Sequence, residues 1–218
     1  VPWLLLHGTR LTPEIWDGVI PLLEGAAAAP SVVGTRPQAG IAADIARQTN
    51  LIPPWHVVGH SFGGQVALEL AIQRPDLVSE LTLLCTRDTP YPAFAAAADD
   101  VAAGRSDIDD TLRRWFSPAE LDDDGAAVRS ARTALATADL LSWAVALRAI
   151  AAFDCSAATT SIRCPAVVVS AEHDPVSDPV TMETMHRRLA GSEFEVLPDA
   201  WHMSVFTDLD RLVDLLNR

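Results

Sequence analysis

The stretch VVGHSFGG, Val57–Gly64, sets Ser61 between Gly59 and Gly63, directly after an apolar run and before QVALELAIQRP. A serine at G-x-S-x-G between a strand and a helix sits on a turn so sharp that its own backbone is strained. The residues two positions away must then lack side chains. Such a turn lifts the hydroxyl clear of the sheet and aims the amides of the following helix at the same point, where an anion can be held. Neither GxGxxG nor GxxxxGK[ST] can be read here, so a glycine-rich nucleotide loop is the weaker reading. Gly64 allows the helix to pack closely on the sheet.

A lone serine hydroxyl is a weak nucleophile at neutral pH; it needs a base, and the base needs an orienting acid. Downstream, Asp174 ends VVVSAEHD at the carboxyl end of an expected strand, where sites of open α/β sheets collect. His202 lies in LPDAWHMS, between the last expected strand and the last expected helix. The order Ser, Asp, His favours His202 over the other histidines as the base. Asp88 in LLCTRD is a second candidate acid, while Asp199 and Asp178 read as turn and helix-cap residues. Upstream, WLLLHGTR (Trp3–Arg10) reads as a strand followed by a His-Gly bend. The bend can turn the Thr9 amide into the site, where with the Phe62 amide it would form an oxyanion hole. His7 is expected to brace that loop, and Arg10 reads as a solvated surface cation more readily than as a contact for a substrate carboxylate.

Around this motif the chain alternates strand and helix. Short β-rich runs stand at 3–6, 31–33, 55–59, 81–85, 166–171 and 194–197, with few charges and little alternation, as befits strands covered on both faces. Amphipathic segments at Pro13–Leu23, Ile41–Gln48, Phe62–Gln73, Pro179–Leu189 and Ser204–Leu216 read as helices. The expected fold is α/β, a mainly parallel sheet with helices on both faces. The alternation stops between Arg87 and Ala158, where only helices are expected, near Ala93–Ala103, Asp109–Phe116, Ala126–Ala138 and Leu140–Ala152. Hence residues 1–86 and 159–218 are read as one core, and 87–158 as a helical cap inserted in it. DDVAAGRSDIDD and AELDDDGAA read as solvated acidic turns.

The 218 residues suffice for one domain with an insertion. A net charge of −13 argues against a phosphate-neutralising surface and so against nucleic acid as a partner. Cys85, Cys155 and Cys164 have neither CxxC spacing nor an even count, which suggests neither disulfides nor a zinc site. No apolar run approaches the ~20 residues of a membrane span, and VPWLLLHG lacks the pattern of a signal peptide. A soluble cytoplasmic protein without metal or organic cofactor is expected, with the proviso that the chain starts at Val1.

With Ser61, Asp174, His202 and His7-Gly8 in this order, the chain resembles the α/β-hydrolase superfamily from Trp3 onward. RRWFSPAEL (113–121) and LRAIAAFD (147–154) are similar to cap segments of 3-oxoadipate enol-lactone hydrolases and related small esterases. The resemblance implies a triad of Ser61, Asp174 and His202, a small ester or lactone as substrate, and a cap that roofs the pocket. Trp115, Phe116, Trp143, Leu147 and Met203 are the expected substrate-facing side chains, with Tyr91 and Phe94 as further apolar bulk. Cofactor-free perhydrolysis or haloperoxidation, C–C bond hydrolysis, and a non-catalytic ligand-binding role are alternatives on the same residues. Two departures stand out. Members usually carry two strands before the His-Gly strand, which are not seen here, and GTRPQAG replaces the usual Asp and Gly-x-Gly loop. Without those strands, Ser31–Val33 would form an open sheet edge, expected to be covered by a second copy of the chain or by residues upstream.

Overall fold

The computed structural model describes residues 1–217. Six parallel strands form one sheet in the order β2-β1-β3-β4-β5-β6, namely β1 Trp3–Leu6, β2 Ala27–Ala28, β3 Trp55–His60, β4 Val78–Leu84, β5 Ala166–Ala171 and β6 Glu193–Leu197. The chain runs outward from β1 to β2, then returns to place β3 on the other side of β1. The order therefore reverses at β1/β3, and the crevice at the carboxyl ends of those two strands is where an open α/β sheet offers a site.

The central strands are buried on both faces, which explains their unbroken apolar runs. Alternation survives in where the side chains go. Leu4 and Leu6 of β1 join a core with α1 (Gln38–Gln48), α2 (Phe62–Gln73) and α9 (Pro179–His186). Trp3 and Leu5 join the opposite core, with residues of α4 (Ile108–Trp115), α6 (Ala126–Thr137) and α10 (Leu209–Leu216). Between β4 and β5 the regular elements are all helices: α3 (Ala93–Ala102), α4, α5 (Pro118–Asp123), α6, α7 (Leu140–Ala152) and α8 (Ser156–Thr159). Among the described residues no single helix is long and apolar enough to cross a membrane.

Four local expectations change. Ser204–Leu216 divides into a 3-10 turn, Ser204–Phe206, and α10, which opens after Asp208. The edge strand is Ala27–Ala28, not Ser31–Val33: the Val32 N–H donates to the His7 ring at 2.9 Å, and the Val33 carbonyl accepts from Thr35 at 2.8 Å, so neither group joins the ladder. An edge only two residues long presents little to pair with. Pro13–Leu23 forms two 3-10 turns, Pro13–Trp16 and Ile20–Leu22, because Pro21 and Gly18 interrupt a continuous helix. AELDDDGAA includes most of a helix: α5 opens on a capping box in which Ser117 accepts from the Glu120 N–H at 3.1 Å and Glu120 accepts from the Ser117 N–H at 2.7 Å.

Candidate active site

Ser61 stands between β3 and α2 with φ 53° and ψ −119°, a conformation that costs a non-glycine residue ~1–3 kcal/mol. It is held there from several sides. Its N–H donates to Leu84 O at 2.9 Å, and its carbonyl accepts from Thr86 Oγ1 at 2.6 Å and from the Gly64 N–H at 2.9 Å. The glycines are steric necessities. A Cβ on Gly63 would stand 2.2 Å from Leu6 O, one on Gly59 2.6 Å from Gly63 O, and one on Gly64 2.5 Å from the Thr86 side chain.

At the end of β1, His7 and Gly8 form the neighbouring wall. The His7 Nδ1–H donates to Gly8 O at 2.8 Å and Nε2 accepts from Val32, which fixes the tautomer. Burial lowers the His7 pKa, so the ring braces the loop as a neutral group. Gly8 packs on Ser61; a Cβ there would lie 3.2 Å from Ser61 Cβ. The Thr9 and Phe62 N–H groups donate to no acceptor among the described residues, leaving two backbone donors free beside Ser61.

His202 and Asp174 meet from loops after β6 and β5. The His202 Nδ1–H donates to Asp174 Oδ2 at 2.6 Å, and Asp174 Oδ1 accepts from the Val176 and Ser177 N–H groups at 2.9 and 3.1 Å. Burial opposes the charge on Asp174, but His202 and the two amides outweigh it and hold the carboxyl below the usual carboxylate range. The acid loop is anchored in turn: Arg87 donates to Val176 O at 2.6 Å while its guanidinium lies 4.9 Å from the Tyr91 ring. Asp88 is committed elsewhere, to Arg188 at 3.0 and 3.1 Å. His60 turns away from the pocket, its Nε2–H donating to His202 O at 3.0 Å. Burial first, and then the His202 ring, lower its pKa to about 3.

Ser61, Asp174, His202 and Thr9 line one cavity of about 360 Å³, with Trp115, Trp143, Leu147, Tyr91, Phe94 and Val101 as apolar wall. Arg105, Ser106, Asp107, Thr111 and Arg114 make it polar on the side of the α3–α4 connection. Phe116 and Met203 do not line it. Both are fully buried in the core shared with α6 and α10, because Phe116 follows the last turn of α4 and the Met203 N–H is tied to Trp115 O at 2.8 Å. Val101, Arg105 and Ser106 gave no signal in the sequence, since α3 and its following turn read as alanine-rich packing and an acidic linker. A larger groove of about 660 Å³ lies along β2 and α1 and includes none of the side chains just described.

Residues 3–215 match the alpha/beta hydrolase family. The chain belongs to that family. Among curated relatives, this hydrolase is 26% identical to (E)-2-((N-methylformamido)methylene)succinate hydrolase of Acinetobacter baylyi, over 93% of the chain and 83% of the relative. It is 29% identical to a pimeloyl-acyl-carrier protein methyl ester esterase of Neisseria meningitidis, over 91% and 84%. Its fold is that of the enol-lactonase from Burkholderia xenovorans, with TM-score 0.89 at 21% identity, over 100% of this chain and 92% of that one. A thermophilic esterase from Thermogutta terrifontis gives 0.86 at 23%, over 100% and 88%.

His60, Cys85 and His202 bring ligand atoms within 4.8 Å of one another, but they make a poor metal set. His60 Nε2 and His202 Nδ1 are engaged in hydrogen bonds, and burial pushes the Cys85 thiol well above its usual pKa.

Proposed function

We propose that this hydrolase cleaves a small carboxylic ester or lactone through an acyl-serine intermediate. The observation that carries the reading is the 2.6 Å contact of His202 Nδ1 with a buried Asp174, on the wall of the same cavity as Ser61. With Nδ1–H held by Asp174, Nε2 is the ring nitrogen left to act as base. His202 takes the Ser61 proton as Oγ bonds to the substrate carbonyl, and the Thr9 and Phe62 amides receive the developing oxyanion. Each is worth roughly 3 kcal/mol if it behaves like measured donors. Collapse breaks the ester C–O bond, and His202 returns the proton to the leaving alkoxide. Water then gives a proton to His202 and its oxygen to the acyl carbon, releasing the acid and restoring the Ser61 hydroxyl.

In this reading residues 87–158 form the cap, and the half-apolar wall that Trp115, Trp143 and Leu147 supply suits a small substrate. The ester-cleaving and lactone-cleaving names among the relatives and structural neighbours support the reaction class. Cys85, Cys155 and Cys164 are free thiols, in keeping with work in the cytoplasm. The test is a panel of aryl acetates, simple lactones, thioesters and amides, followed by intact-mass detection. Turnover of esters or lactones with an acyl adduct on Ser61 is expected. Stoichiometric ligand binding without turnover, or a fluorophosphonate probe that leaves Ser61 unlabelled, would overturn the proposal.

A further inference from the structure

Arg10 does not behave as a surface cation. It is the third residue of the turn Gly8–Leu11, closed by the Leu11 N–H on Gly8 O at 3.2 Å, and its φ is 61°. A turn with positive φ at that place ordinarily takes glycine. Its side chain crosses from the loop after β1 to the corner between α6 and α7. There Nη2 donates to Leu135 O at 2.6 Å, a carbonyl of the last turn of α6, where helical partners run out. The guanidinium lies 3.8 Å from the ring centre of Trp143, in the first turns of α7. Nε and Nη1 are buried with no partner, and no carboxylate among the described residues pairs with the group. Burial lowers its pKa to about 10, which still leaves it cationic at neutral pH.

As a source of stability this arrangement is poor. It combines a strained backbone, a desolvated cation without a counter-ion and two unmet donors, and an apolar side chain of similar length would avoid the last two costs. What it gains is a connection. Thr9, next to Arg10, carries a free amide beside Ser61, and Trp143 is part of the cavity wall. One guanidinium therefore joins the turn that presents the oxyanion donor to the helices that enclose the substrate.

We propose that Arg10 is a positioning residue that locks the Thr9 turn to the α6–α7 corner and so fixes the Thr9 amide for the tetrahedral intermediate. The inference rests on the ester-hydrolase reading. It predicts a loss in kcat rather than in binding, because the donor acts on charge that develops only as the carbonyl is attacked.

The experiment compares the parent, Arg10→Met, Arg10→Gly and Ser61→Ala on an aryl acetate, recording kcat, KM and Tm. Arg10→Met is expected to keep or raise Tm while kcat falls by ~10²-fold, the order of loss that a ~1 Å misplacement brings. KM should change by less than about threefold, since ground-state contacts remain. Arg10→Gly, which relaxes the turn but cuts the same link, is expected to lose kcat alike and to recover part of it when free guanidinium is added at non-denaturing concentration. Should the Met variant fail to fold, the Gly variant carries the test, because glycine suits the turn. Parent-like kcat in a folded Arg10 variant beside an inactive Ser61→Ala would overturn the proposal, as would a lowered Tm with kcat intact. Turnover surviving in Ser61→Ala would instead sink the hydrolase reading, and the role of Arg10 with it.

Discussion

The bend at Ser61 and the helices above it are held by different physics. At the bend, backbone meets backbone: β1, β3 and α2 approach so closely that Gly59 and Gly63 have main-chain atoms where a Cβ would go. In the segment from α3 to α8, packing is mostly through side chains on alanine-rich helices, with a close backbone approach where Gly34 meets Ala146 of α7. Ala98, Val101, Trp143, Ala144 and Leu147 form a small core of their own, and the outer faces carry exposed ion pairs such as Arg148 with Asp99 at 2.6 Å. Exposed pairs of this kind are worth little, and small cores can be repacked. The proposed chemistry therefore sits where main-chain atoms leave no room for change, and much of the pocket wall sits on side chains that can be repacked.

The largest test of this contrast is Gly63→Ala. Its Cβ would sit 2.2 Å from Leu6 O and 2.6 Å from His7 O, both main-chain atoms of the sheet and the His-Gly bend. Neither can yield without moving β1, so the variant is expected to be insoluble or to unfold well below the parent, read by circular dichroism. A parent-like Tm would show the bend to be as forgiving as the helices.

Within the folded molecule, Ser61→Ala and Asp174→Asn are expected to differ in degree. Loss of Ser61, the proposed nucleophile, should remove nearly all turnover. Asp174→Asn should cost on the order of 10⁴ in kcat, the effect of a wrong imidazole tautomer in the protease template, with little change in ester binding. Asp88→Asn should leave kcat near the parent value, because Asp88 pairs with Arg188 rather than His202. The opposite result for the two acids would move the orienting role to Asp88.

How much of this was legible in the sequence follows the same division. The bend was readable because its whole G-x-S-x-G pattern lies in one short stretch after an apolar run, although the atoms that require Gly63 and Gly64 belong to the end of β1 and to Thr86, and α2 begins and ends at the expected residues, Phe62 and Gln73. Position and family likeness already favoured Asp174 over Asp88, but what occupies Asp88 was not readable, because it is Arg188, a hundred positions away along the chain. The edge strand misleads for a related reason. Ser31–Val33 has the better β composition, yet Val32 is claimed by the His7 ring, while Ala27–Ala28 pairs with β1 through its register with Trp3 and Leu4. Arg10 reads as a surface cation until Leu135 and Trp143 are brought beside it by folding.

A third, more graded test uses pH. Burial lowers the His56 pKa to about 4 and the His60 pKa to about 3, against 6.5 for a free imidazole, and the His7 pKa in the same direction. The sign is that of a base kept neutral by folding: the unfolded chain takes up protons below about 6.5 that the native state refuses. The stability these rings contribute is complete above pH 6.5 and falls as the pH drops toward 4. Each adds at most ~1.4 kcal/mol per pH unit to the slope. Tm should therefore drop between pH 7 and 4.5, and His56→Gln should flatten the curve. A Tm independent of pH in that window would show that the three rings are accessible to protons in the folded molecule.

The smallest expected effect is in the helices, at Ser117. It caps α5 through a reciprocal pair of hydrogen bonds with Glu120, whose other carboxylate oxygen accepts from Thr207 Oγ1 at 2.8 Å. Ser117→Ala removes the bond to the Glu120 N–H but leaves the Glu120 side chain able to reach back to the backbone of residue 117. The cost should be ~1 kcal/mol of stability, the usual worth of a cap, read as a shift of a few degrees in Tm. Turnover should be unchanged, since α5 has no residue in the cavity wall and the Trp115 carbonyl keeps its bond from Met203. A fall in kcat with this variant would mean that the helices and the bend are mechanically continuous through Glu120 and Thr207. A Tm loss several times larger would mean that α5 is held as tightly as the turn at Ser61, and the division between a rigid chemical centre and a tolerant wall would have to be redrawn at Phe116.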